Sequence, residues 1–378
     1  MFKRFTLGFL LLLLTGCGGA VVRGTAVPLT TITPPGFDRQ ALLENITHQI
    51  AIPAHEVFVA RAEVLATAVA AFTANLTPET LVLAQDAWRA ATVARTSLLT
   101  FRVGLVDDSL LHNRLDNRPA RTTFIEETIG GTVSIDDAYI ESIGSSSIGL
   151  GAMEYLLFDP EGGNEAVLAR YTTAENTDRR RAYLLAVAQN LPVKATALLQ
   201  VWTPEGQNYA QAFIAADMDG GELQGSMNMV VNQMISDLEE MITARLGKPT
   251  GNTSNGQARP DLVESPFAFW SLPRIKATLG TMQAIYTGGD GLGFDDYLDF
   301  LAAKSADGEP LSQAIDAQFH TTLAAFDAIE GTLHTAVTDH PDQVNAAYEE
   351  VRTLLVLLKV DMANHLGVTL TFNDNDGD

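Results

Sequence analysis

The sequence predicts an all-α protein made of paired helical bundles, and three observations carry that prediction. After residue 36 the apolar side chains recur at three and four positions, the period of a helix with one buried face. Thr77-Pro78 and Ser271-Leu272-Pro273 read as helix starts, with a capping hydroxyl and a proline in the first turn, where a missing amide proton costs nothing. No block alternates apolar and polar residues as a half-buried strand would.

The chain opens with a leader. Lys3 and Arg4 form a basic start, residues 7–14 form an apolar run too short to span a membrane as a mature helix, and Leu14-Thr15-Gly16-Cys17 resembles a bacterial lipobox. The expectation is cleavage after residue 16 and acylation of Cys17, palmitate included. Each buried methylene adds about 0.8 kcal/mol, so several acyl chains hold firmly. Gly18 rather than aspartate follows, the pattern expected of a lipoprotein sorted to the outer membrane and facing the periplasm. Cys17 is the single cysteine, which excludes disulfides and cysteine metal sites. Residues 17–36, ending Pro34-Pro35-Gly36, read as the lipidated cysteine and its flexible tether.

The formal charge of −22 becomes −24 once Lys3 and Arg4 are removed. Such a balance disfavours nucleic acid and adhesion to anionic lipid through protein charge, and attracts cations. Beyond the leader no continuous apolar run reaches the roughly 20 residues of a spanning helix, so the membrane is expected as a partner only through Cys17.

The elements follow in order. From Asp38 a helix passes a kink at Pro53, with Val57, Phe58, Val64, Leu65, Ala68, Val69 and Phe72 as its apolar stripe. Thr77-Pro78 opens the next, whose stripe is Leu81, Ala84, Trp88, Ala91 and Leu98. Residues 104–131 read as polar and irregular, residues 135–143 and 148–158 as short helices, and Thr177–Trp202 as a long one bent at Pro192. Residues 223–246 carry Met227, Val230, Met234, Leu238 and Met241 on one side, as core methionines do. A loop rich in Asn, Gly and Pro spans 247–260. Helices are then expected from Ser271 to Thr287 and over 294–304, 311–338 and 341–366. A shift of 263 residues lays Leu81, Ala84, Trp88 and Arg89 on Val344, Ala347, Val351 and Arg352, an internal echo suggesting two related halves. Those halves are taken as 37–202 and 203–378, joined near 202–220.

One segment carries more chemistry than the rest. Ser147-Ile148-Gly149-Leu150-Gly151-Ala152-Met153-Glu154-Tyr155-Leu156-Leu157-Phe158 resembles the G-x-H-x-x-E-Y-L-L signature of the imelysin peptidase family. Gly149, Glu154 and Tyr155 match it, while Gly151 stands where that pattern has histidine. Ile52-Pro53-Ala54, Asp86-Ala87-Trp88, Trp270-Ser271-Leu272-Pro273-Arg274-Ile275 and the stretch from Gly367 to Asp378 also look like imelysin-like periplasmic lipoproteins, extending the resemblance over 38–378. The resemblance implies two four-helix-bundle-like domains, a setting in iron or haem acquisition, and a metal-dependent peptidase as the family's namesake activity.

A histidine and a glutamate three residues apart share a helix face and can hold an ion; Glu154 without the imidazole is a weak transition-metal site. The expectation is instead a buried or interfacial carboxylate near the seam of the two halves, compensated by an arginine, with Arg274 and Arg89 as candidates. Glu154, Arg274, Ser271, Arg89 and Trp88 are thus the candidate binding residues. No catalytic residue is assigned, and a divalent metal or iron is the cofactor class left open, with Glu154 its one candidate ligand.

Other motifs carry less. The histidines His48, His55, His112, His320, His334, His340 and His365 show neither H-x-x-x-H nor H-x-x-E spacing, which excludes a zincin. Glu44 and His48, four apart, read as an exposed helix pair. Asp374, Asp376 and Asp378 start a calcium-loop pattern that lacks its closing glutamate. The Gly288-to-Gly293 run follows no strand and reads as a turn. Two readings follow: a non-catalytic envelope lipoprotein that binds an iron-related ligand or partner in the cleft between bundles, favoured by the replaced histidine, or a metallopeptidase that recruits Glu154, distant ligands and a peptide substrate. A purely structural envelope protein is the third.

Overall fold

Helices built on the expected periodicities make up the protein, whose computed structural model describes residues 36–215 and 225–371. The leader, Cys17 and the tether to residue 35 lie outside the described residues, as do Leu223, the end of the 202–220 connection and the terminal Asp374, Asp376 and Asp378. No strand occurs among the described residues; Lys304 and Pro310 form an isolated bridge.

The first half is organised around three helices. Arg39–Asn45 runs through a π-helical turn, Ile46–Ala51, into Ile52–Ala74. Pro53 has no amide proton to give the preceding turn, and the wider turn lies just upstream of it. Thr77 then caps Pro78–Thr96: its hydroxyl accepts from the Thr80 amide while the Thr80 hydroxyl accepts from that of Thr77. Both pack against each other, and Thr177–Trp202, which contains Pro192, packs along Ile52–Ala74. The buried stripe of the first is Phe58, Ala62, Leu65, Val69 and Phe72, each 0% exposed. Val57 and Val64, expected beside them, are both 52% exposed, because a strict three-and-four repeat from Phe58 leaves them on the far side.

Arg39–Ala74 and Thr177–Trp202 are long and apolar enough to cross a membrane by length and composition. Phe58, Leu65 and Phe72 of the first and Tyr183, Leu184 and Leu198 of the second are buried in this core.

In the second half Ser226–Glu240 continues through a π-helical turn, Met241–Leu246, into Gly247–Thr250, shortening the expected loop. Met227, Met234 and Met241 are core side chains, as read. Leu311–Asp327 packs on Pro341–Val356, Ser271–Thr287 and Phe294–Phe300. The expected 311–338 helix is two, because the chain breaks at Gly331 (φ +78°) and restarts at Leu333 behind the Thr332 cap. Residues 104–131 are not irregular throughout: Leu105–Asp108, Leu111–Leu115 and Thr122–Gly130 are helical, too short to show a period. Gly163–Thr172 and Tyr209–Ala215 went unread for the same reason.

Contacts between the halves bring Ser271–Thr287 against Pro78–Thr96, and Ser226–Glu240 against the turn Leu99–Phe101. Phe37–Asp378 thereby clusters as one unit.

Candidate functional site

Glu154 lies in the helix Gly149–Leu157, whose entry is set by two glycines. Gly149 has φ +67°, and a Cβ there would collide with the carbonyls of Arg114 and Leu115. At Gly151 a Cβ would stand 2.9 Å from the Asn117 carbonyl oxygen and 3.6 Å from Cγ of Arg118. The missing side chains let residues 114–118 lie directly against the helix. Trp88 fixes it from another side, its indole N–H donating to the Leu150 carbonyl at 2.9 Å. Gln85 donates to the Leu157 carbonyl at 2.8 Å, and the Tyr171 hydroxyl to that of Leu156 at 3.0 Å.

Glu154 itself is 0% exposed. Its Oε1 accepts from the Ser265 hydroxyl at 2.7 Å and from the amides of Phe267 and Ala268 at 3.1 and 3.0 Å. Its Oε2 meets Nη1 of Arg118. The compensating arginine is therefore Arg118, not Arg274 or Arg89. Arg274 instead reaches Asp116 at 3.0 Å and Glu264 at 3.3 Å, and Arg89 pairs with exposed Asp86 at 2.7 Å while lying over the rings of Phe158 and Trp270. Ser271 does not touch Glu154; its hydroxyl accepts from the Ser265 amide at 3.2 Å and so holds the loop that does. Tyr155 turns away, donating to Glu126 at 2.8 Å, and burial with that bond pushes its phenol up to about 12.

The pair belongs to a larger buried network. Arg118 also reaches Asp116 at 2.9 Å, and Arg245 reaches Glu264 at 2.8 Å. Burial alone would raise the Asp116 carboxyl, but Arg118 and Arg274 hold it down at about 2. Glu264 is likewise held below its ordinary value, against burial, by Arg245 and Arg274. Arg118 stays above the usual arginine range because Asp116 and Glu154 outweigh its own desolvation. Asp116, Arg118 and Glu154 come from the first half of the chain, and Arg245, Glu264, Ser265 and Arg274 from the second. Glu154 thus sits on the seam between them.

Sequence reading missed Asp116, Arg118, Glu264, Ser265 and Arg245. For all of these but Arg245, the one local signal is charge beside turn-forming proline, in Asp116-Asn117-Arg118-Pro119 and Glu264-Ser265-Pro266.

Chemically, three donors crowd Oε1 and the Arg118 guanidinium takes Oε2, and the carboxylate, wholly buried, presents no coordination position to solvent. Among the described residues no three His, Cys, Asp or Glu side chains are grouped to hold a metal ion.

The imelysin family model, Peptidase_M75, matches residues 51–358. The chain belongs to the imelysin family. Two solved structures share its fold. A candidate iron-regulated protein A precursor from Parabacteroides distasonis is 20% identical with a TM-score of 0.70, covering 89% of this chain and 97% of its own. An imelysin-like protein from Psychrobacter arcticus is 15% identical with a TM-score of 0.69, covering 88% and 97%. No curated protein matches significantly. The side of the helix at Gly151 is faced by Asn117 and Arg118.

Proposed function

We propose that this imelysin-family chain is a non-catalytic binding protein of the bacterial cell envelope, anchored through lipid on Cys17 at the outer membrane and serving iron acquisition. One observation supports the non-catalytic reading: the Glu154 carboxylate is buried and held by Arg118, Ser265 and two amides; the sequence resemblance, which sets Gly151 at the imidazole position of the pattern, agrees with it. The iron link and the envelope setting draw support from the Parabacteroides distasonis relative, which is described as an iron-regulated precursor.

This reading puts the ligand in an open recess on the same seam rather than at Glu154. Arg102, Gly104 and Asp107 line it from the first half, and Met229, Asn232 and Gln233 from the second, around ≈ 230 Å³. That is below the roughly 300–1,000 Å³ typical of drug-sized ligands, so an ion or small chelate fits this space better than haem. Titration of the full chain with ferric citrate, alongside metal analysis and a peptide-hydrolysis assay, tests the reading. Binding weakened by Asn232→Leu, with hydrolysis at background, is the expected result. Stoichiometric metal and peptide hydrolysis in the unaltered protein, both lost in Glu154→Gln, would establish the family's peptidase activity instead.

A further inference from the structure

A second set of buried polar groups lies beside the Glu154 network, coupled to it through the charge of Asp116 but sharing no hydrogen bond with it. Arg95, in the helix Pro78–Thr96, is 3% exposed; its Nη2 donates to the His112 carbonyl at 3.3 Å, while its Nε and Nη1 find no acceptor on the protein. Of the buried arginines among the described residues, Arg180, Arg245 and Arg274 each meet a carboxylate, at 2.5, 2.8 and 3.0 Å. Arg95 meets none. Asp116 is engaged by Arg118 and Arg274, and Asp237 by the Thr100 hydroxyl at 2.9 Å and the Gln233 amide at 2.8 Å.

Two buried imidazoles lie within electrostatic reach of Arg95. His112 is 3% exposed and neither ring nitrogen has a partner on the protein. His55 is 1% exposed, its ring 6.1 Å from that of Phe101 and 5.9 Å from that of Trp202; Nδ1 is 2.7 Å from the Ala51 carbonyl, and Nε2 is unpartnered. Burial, and after it the Arg95 charge, depresses both rings, His55 to about 4 and His112 well below the ordinary histidine value. Both are neutral at pH 7. Burial brings Arg95 only to about 10, so its charge remains.

Nearly every buried polar group in a native protein has a partner, whether protein, water or ion. Water would satisfy the two free N–H groups of Arg95 but leave the guanidinium with no counter-ion in contact, since Asp116 and Asp237 favour its charge only from beyond ion-pair distance, and an unpaired buried charge is costly. An anion answers both needs. The guanidinium offers a fork of donors, and His112 adds a ring N–H. His55, whose Nδ1–H is taken by Ala51, presents a lone pair at Nε2 that calls for a donor. Hydrogen carbonate supplies charge, acceptors and its own hydroxyl donor, and a halide with one water supplies the same set. We propose that the interior bounded by Arg95, His112 and His55 is a closed binding site for one small monovalent anion, of halide to hydrogen-carbonate size.

The full chain, desalted into gluconate buffer and then denatured, should release a stoichiometric amount of a small anion on ion chromatography, and Arg95→Met should release none. Equal release from the variant would overturn the proposal. Should Arg95→Met fail to fold, the unaltered protein decides. Prepared and crystallised in sodium bromide, it should show an anomalous peak beside Arg95, whereas water alone at that position would overturn the assignment.

Discussion

Replacing Arg118 with methionine removes the cation that two buried carboxylates share while keeping a side chain of similar reach. Glu154 is wholly buried and the Asp116 side chain is 6% exposed, so the change breaks a buried pair from one side, for which losses of about 3–5 kcal/mol are usual. The low end applies here. Glu154 keeps Ser265 and two amides, and Asp116 keeps Arg274 at 3.0 Å. At about 2.1 cal/mol/K of unfolding entropy per residue, a unit of roughly 340 residues loses about 4 °C of melting temperature for ~3 kcal/mol. Acid sensitivity moves with it. A depressed carboxyl such as Asp116 contributes stability above its unfolded pKa and loses it as pH falls towards about 2. Without Arg118 the depression shrinks, so acid unfolding should begin at higher pH. Calorimetry and circular dichroism across pH 2–7 measure both effects. A variant melting within about 1 °C of the parent, with an unmoved acid midpoint, would refute the claim that Arg118 compensates Glu154 and Asp116. The double variant with Glu154→Leu should cost less than the sum of the single changes, because each leaves the other's partner stranded.

Gly151→His places a side chain against the Asn117 carbonyl and Arg118, so it should destabilise by about 1–3 kcal/mol and gain no zinc affinity; tight stoichiometric zinc in the variant would show that residues 114–118 yield easily. Asp237, raised by burial to about 6, costs the folded state stability as pH rises from about 4 through 6, since the unfolded carboxyl ionises first. Asp237→Asn should therefore melt higher than the parent at pH 8 and no higher at pH 4, and an equal gain at both would contradict burial as the cause. Cys17→Ser should move a folded protein from washed membranes to the soluble fraction; retention would point to another anchor.

The sequence alone determined that this is a helical protein, since apolar residues at three and four positions leave a chain no other way to bury them, and the caps at Thr77 and the Gly149-to-Glu154 signature are local enough to read directly. It also determined that Glu154 would need a cation, because a carboxylate beside Leu156 and Leu157 is drawn inside. The partner was another matter. Arg89 and Arg274 were candidates because they lie in recognisable segments, yet Arg118 makes the contact from a stretch whose short helices carry no period. Arg118 and Ser265 lie 36 residues before and 111 residues after Glu154, and only the packing of the two halves sets those separations to hydrogen-bond length. The same holds for Arg95: its residue type predicts a surface charge, and burial without a counter-ion exists only once the helices close around it.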